Sequence, residues 1–200
     1  MVQIINYGLG NLGSVQNMLK RINVNSTIVK NPKDLRAEKI ILPGVGSFDT
    51  GMSNLLNDGW VEVLNENVLK HKVPTLGICL GMQLMTNRSD EGQLGGLGWI
   101  EGEVLKFPVN TLKTPHMGWN IVRPAGLDAS ILTSDKPELR FYFVHSYFVK
   151  VDNSSDRLGT TNYGSEFTSA FRRNNVYGVQ FHPEKSHKFG MMVFKNFASL

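Results

Sequence analysis

The chain has 200 residues, is 41% hydrophobic and carries a formal net charge of +4, with lysine and arginine scattered along it. That length suits one domain, 1–200, with a sizeable core, and the dispersed charge leaves no basic footprint for nucleic acid. A single cysteine excludes an internal disulfide, and five histidines, at 71, 116, 145, 182 and 187, lack the spacing of a zinc site, so neither a metal nor another cofactor is expected.

The opening MVQIINYGLG lacks the basic start of a leader peptide, and no apolar run nears the ~20 residues that span a bilayer. A cytoplasmic protein with no membrane contact is expected. Residues 2–6 read as a buried strand, Gly8 and Gly10 break it, and Leu12, Val15, Leu19 and Ile22 recur at helical spacing. Strands are predicted at 26–29 and 39–42, the second running into Pro43-Gly44-Val45-Gly46, then helical segments over about 48–70 and another strand at 75–78. Short apolar strands alternating with amphipathic helices imply parallel β-α-β units, hence an α/β three-layer sandwich around a mostly parallel mixed sheet. The second half is β-rich, with strands predicted at 99–107, 119–122, 140–149, 157–161, 167–173 and 176–181 and a surface loop at 124–137. A closing helix, 189–197, places Phe189, Met192, Val193 and Phe197 on one face.

The chemistry concentrates where the lone cysteine stands. Gly77-Ile78-Cys79-Leu80-Gly81 has the form G-x-C-x-G, in which small neighbours let a nucleophile sit on a sharp strand-to-helix turn. A helix starting at Leu80 would aim its positive end at the sulfur and favour the thiolate. The alternative is an ordinary buried cysteine. A base is available at Gly178-Val179-Gln180-Phe181-His182-Pro183-Glu184: His182 can take the thiol proton, and Glu184 can fix its tautomer and stabilise its charged form. The strand ending in Gly44, Val45 and Gly46 offers backbone N–H groups for an oxyanion, with the Leu80 N–H as second donor; a plain tight turn is the alternative.

These elements together resemble the class I glutamine amidotransferases, through PGVG at 43, GICLGMQ at 77 and HPE at 182. The resemblance implies a Cys79–His182–Glu184 triad, and L-glutamine as substrate, held by Gln83 and near His145-Ser146-Tyr147. Within that family NYGLGNLGSV at 6, PHMGWN at 115, FYFVHSY at 141 and GVQFHPEKS at 178 are similar to the glutaminase subunits of imidazole glycerol phosphate synthases. That implies a heterodimer with a (β/α)8 cyclase subunit in histidine biosynthesis, with Trp119, Tyr142 and Lys185 on the partner face; simple core packing is the alternative for Trp119. GWIEGEV, LMTN and EKSHKFGM also resemble a paralogous branch supplying ammonia for amidino-modified surface sugars. Outside catalysis, the alternatives are an inactive regulatory protein on the same fold and a flavodoxin-like binder using Gly8-Leu9-Gly10-Asn11 to cradle phosphate.

Overall fold

Four near-continuous apolar runs determine the centre of the molecule. β1 (Val2–Ile5), β3 (Lys39–Gly44), β4 (Thr75–Cys79) and β12 (Val176–Val179) are almost wholly buried, as strands covered on both faces must be. The computed structural model describes residues 1–108, 113–125 and 130–200. With β2 (Ser26–Val29) at the edge, these strands run in the order β2-β1-β3-β4-β12, all parallel.

Alternation along each strand sorts side chains to the two faces. Ile4, Ile41 and Ile78 share a core with Val15, Met18 and Leu19 of α1 (Leu12–Arg21) and Val193, Phe194 and Phe197 of α5 (His187–Ala198). Ile5, Ile40 and Leu42 instead join Phe48, Met52 and Leu55 of α2 (Phe48–Asn57) and Trp60 and Leu64 of α3 (Trp60–Asn65). This is the expected three-layer α/β arrangement. The start of α1 is closed by its own Asn11, whose side chain accepts from the Ser14 N–H at 3.2 Å, so the glycines before it serve a helix cap.

Beyond β12 the sheet turns antiparallel. β11 (Ser165–Arg173), β10 (Arg157–Tyr163), β7 (His116–Pro124) and β8 (Leu139–His145) follow in that order, while β9 (Tyr147–Val151) bridges β11 to β6 (Gly102–Lys106), which in turn pairs with the short β5 (Arg88–Ser89). The parallel half thus carries α4 (Leu80–Leu84) directly behind β4, and the antiparallel half folds beside it.

The helical segments expected over 48–70 are α2 and α3, parted at Gly59 with its left-handed φ of 73°, and a π-helical turn, Glu66–Lys70. Three expectations change. The strand expected over 140–149 is two strands that part at Ser146. β3 continues through Pro43 and Gly44, so only Val45 and Gly46 belong to the turn. Of the surface loop expected at 124–137, residues 126–129 lie outside the described residues, and Ile131 and Leu132 are buried in the core with α5. Asn196 secures them by donating to the carbonyls of Ile131 and Thr133 at 3.2 and 2.9 Å.

Candidate active site

Cys79 stands at the junction of β4 and α4 with φ 54° and ψ −109°, outside the regions an L-residue normally occupies. Two glycines make that junction possible. A Cβ on Gly81 would lie 1.8 Å from the Leu42 carbonyl oxygen, and one on Gly77 would lie 2.7 Å from the Gly81 carbonyl oxygen and the Met82 nitrogen. The G-x-C-x-G spacing therefore lets α4 start flush against β3 and β4, with the cysteine at the bend.

β12 lies beside β4 in parallel register, Val179 against Ile78, and the chain leaving β12 carries His182 back toward the cysteine. His182 Nδ1 and Glu184 Oε1 are 2.8 Å apart, and both side chains are buried. Nδ1 is thereby committed to Glu184, which leaves only Nε2 open to a second partner. Burial works against the charged imidazolium, but hydrogen bonding and charge from Cys79 and Glu184 outweigh it and the pKa is pushed up to about 10. The sulfur and imidazole, 103 positions apart in the sequence by residue number, are electrostatic partners.

Gly44 pairs with Cys79 in the β3–β4 register, so the turn that follows rises beside the cysteine. Val45, Gly46, Cys79, Leu80, Gln83, Glu91, His145, Ser146 and Tyr147 line a cavity of about 180 Å³, together with Val144. That is below the roughly 300–1,000 Å³ of sites for drug-sized molecules and fits one small metabolite. Val45 and Gly46 border it from the turn, and Leu80 from the first residue of α4. Glu91, which the sequence reading passed over, brings the cavity its one carboxylate and accepts from the Phe48 N–H at 2.8 Å through Oε2. No local motif marks it; only the fold brings it to Cys79.

His145 reaches the cavity, but both its ring nitrogens are engaged. Nδ1 donates to the Tyr147 carbonyl at 2.7 Å, so Nε2 is the acceptor in its 2.9 Å contact with His116 Nδ1. Asn120 closes the chain against His116 Nε2 at 3.2 Å. Burial lowers the pKa of His116 to about 4, and burial together with the neighbouring His116 and His182 lowers that of His145 to about 3.

Trp119 is 43% exposed, which overturns core packing as its role. It stands on β7 against Tyr142 of β8, ring centroids 6.2 Å apart, and stacks on His187 at 5.6 Å with planes 4° apart. The Lys185 ammonium lies 5.8 Å from the Tyr142 ring centroid, and Met117 beside them is 61% exposed. Trp119, Tyr142 and Lys185 thus form one surface, next to His182 because its N–H donates to the Tyr142 carbonyl at 2.9 Å. Among the described residues, no three His, Cys, Asp or Glu side chains converge as a metal site, and no helix is long and apolar enough to cross a membrane.

Comparison with known proteins agrees with this geometry. The family model for glutamine amidotransferase class-I matches residues 3–199. The chain is 50% identical over 199 residues to the imidazole glycerol phosphate synthase subunit HisH 2 of Methanococcus maripaludis, covering 98% of each. It is 49% identical over 202 residues to the protein of the same name from Pseudomonas aeruginosa, covering 100% of each. A crystal structure described as a glutamine amidotransferase superposes with a TM-score of 0.78 over 100% of both chains at 17% identity, a likeness of fold.

Proposed function

Because the chain belongs to the class-I glutamine amidotransferases, we propose that its Cys79 cavity hydrolyses glutamine to glutamate and ammonia, as the glutaminase subunit of an imidazole glycerol phosphate synthase in histidine biosynthesis. The observation that carries this reading is a strained cysteine lining a small cavity with a buried, carboxylate-backed histidine as its electrostatic partner.

The reaction is acyl transfer. The Cys79 thiolate attacks the side-chain amide carbon of glutamine, and the carbonyl oxygen becomes an oxyanion facing backbone N–H groups of the Val45-Gly46 turn and of Leu80. His182 gives its proton to the amide nitrogen, the C–N bond breaks and ammonia leaves. A water molecule then gives one proton to His182 and adds its hydroxyl to the thioester carbon; the C–S bond breaks, restoring the thiolate, and the carboxylic acid released loses the remaining proton to solvent to become glutamate. Glu184 holds the imidazole throughout and offsets its charge.

In this scheme the cavity wall recognises the amino-acid end of the substrate. The Glu91 carboxylate complements an α-ammonium group, and Gln83 offers its amide oxygen, its nitrogen being spent on Tyr147 and Gln180. His145 serves by fixing the Ser146-Tyr147 turn. Ammonia leaves toward the face of Trp119, Tyr142 and Lys185, where a (β/α)8 cyclase subunit docks to form the heterodimer. The relatives' names support such a partner, since each is called a subunit of the synthase.

The test is glutamate release from glutamine by the chain mixed with its cyclase subunit. Turnover that disappears in Cys79→Ala, with complex formation intact, is the expected result; glutamate release by that variant overturns the nucleophile assignment. Rescue of a histidine auxotroph lacking this subunit separates the histidine pathway from the surface-sugar branch.

A further inference from the structure

We infer that Gln180 is a positioning residue for the nucleophile, its side-chain amide donating a hydrogen bond that holds and stabilises the Cys79 sulfur as thiolate. The function of that thiolate rests on the glutaminase reading above, but the contact itself does not.

Gln180 is fully buried, and its Nε2 lies 3.7 Å from Cys79 Sγ. Its amide oxygen and nitrogen would be interchangeable in shape, so what matters is which of them faces the sulfur. The surrounding network decides this from one fixed point. The Tyr147 carbonyl can only accept, and Gln83 approaches it at 3.1 Å, so that end of Gln83 must be its NH₂. The same nitrogen lies 3.1 Å from the Gln180 side chain, which must therefore present its oxygen there. The Gln180 NH₂ is left facing the sulfur. Turning Gln180 over would set NH₂ against NH₂ and oxygen against sulfur, two repulsive contacts in place of two hydrogen bonds.

The backbone supports the same placement. Gln180 directly follows β12, and its own N–H donates to the Ser169 carbonyl at 2.9 Å, tying the residue to β11 while His182 continues on to the sulfur. Two side chains from one short segment thus act on one atom: His182 exchanges its proton, and Gln180 keeps it aimed and ionised.

The test needs no glutamine, so its failure is distinct from a failure of the glutaminase reading. The rate of Cys79 alkylation by iodoacetamide is followed against pH in the full chain, wild type and variants. Gln180→Met keeps bulk and removes the donor; the midpoint of the alkylation profile is expected to rise by about one pH unit, with alkylation below it about tenfold slower, as for loss of a hydrogen bond to a charged group. Gln180→Glu keeps an oxygen for Gln83 but sets a second oxygen against the sulfur, and the rise is larger. Asn196→Ala, which removes the hydrogen bonds to the Ile131 and Thr133 carbonyls away from the cysteine, lowers stability and leaves the midpoint in place. Folded Gln180 variants with the wild-type profile overturn the inference. In the unaltered protein, the Gln180 side-chain amide protons shift through the pH range in which the thiol titrates; resonances that stay constant there overturn it equally.

Discussion

His182 and Glu184 sit two residues apart on one 3₁₀ turn and still meet side by side, Nδ1 to Oε1 at 2.8 Å, because Pro183 opens that turn between them. Their pairing is local, while Tyr142 of β8 holds the turn in place by accepting the His182 N–H. Replacing Glu184 by Gln preserves the shape but removes the negative charge that helps hold His182 protonated. We expect kcat for glutamine hydrolysis to fall by about 10²–10⁴, with KM changed little. Steady-state glutamate release by the complex measures both, and an unchanged kcat would remove Glu184 from the triad.

The elbow makes a steric prediction independent of chemistry. Gly81→Ala forces a methyl group to within 1.8 Å of the Leu42 carbonyl, and a strand backbone cannot move aside. The cost is about 3 kcal/mol or more, and the variant is expected to unfold at much lower denaturant or fail to accumulate. Gly13→Ala, by contrast, meets nothing within 4 Å and lies in the first turn of α1. That substitution adds about 0.5 kcal/mol, or roughly 1–2 °C in Tm for a chain of this size. Equal melting temperatures for the two variants would contradict the described packing at β3.

The buried histidine pair predicts a pH dependence. The native state holds His116 and His145 neutral down to about 4 and about 3, whereas the unfolded chain takes up their protons near pH 6.5. Between those limits the unfolded state binds more protons, so their contribution to stability is fully present above about pH 6.5 and declines as the pH falls toward 4 and then 3. Each histidine removes roughly 1 kcal/mol per pH unit inside its window. Ring-nitrogen NMR at pH 5.5 is expected to show both rings neutral with the proton on Nδ1; titration midpoints near 6.5 would mean that the pair is solvated.

Much of this site was legible because the needed signals are local. Gly77, Cys79 and Gly81 report an elbow within five residues, and His182 and Glu184 report a base and its partner within three. The parallel half of the sheet was legible for a similar reason: strands such as Val2–Ile5 and Thr75–Cys79 are covered on both faces and read as continuous apolar runs. What escaped depends on the fold bringing distant residues together. Tyr7 is far from any catalytic motif, yet its buried hydroxyl donates to the Pro43 carbonyl at 2.7 Å, and burial together with the Cys79 charge raises its pKa. Glu91 reaches the cavity from an irregular segment between β5 and β6. The break between β8 and β9 was equally hidden, because the apolar alternation from Leu139 to Val151 runs on past Ser146 while the backbone turns to pair with β6 and not β7.

The exposed face beside the triad gives the last prediction. Trp119 and Met117 present large apolar surface to solvent, and aromatic anchors of this kind dominate the energetics of interfaces. The face joins the site through the Tyr142 carbonyl, which accepts the His182 N–H, and through Ser186, whose hydroxyl donates to the His182 carbonyl at 2.6 Å and accepts from the Tyr142 N–H at 3.0 Å. A subunit bound there would press on the backbone that carries His182. We expect the isolated chain to turn over glutamine slowly and the cyclase subunit with its nucleotide ligand to accelerate it strongly, since one missing oxyanion donor at the Val45-Gly46 turn is enough to add about 3 kcal/mol to the barrier. Trp119→Ala should fold normally, because its ring is partly in solvent, but bind the subunit more weakly by about 2 kcal/mol or more. Isothermal titration calorimetry and glutamate release, run on the same samples, separate the two effects. Equal turnover with and without the partner would remove the coupling, and wild-type affinity in Trp119→Ala would move the docking face elsewhere.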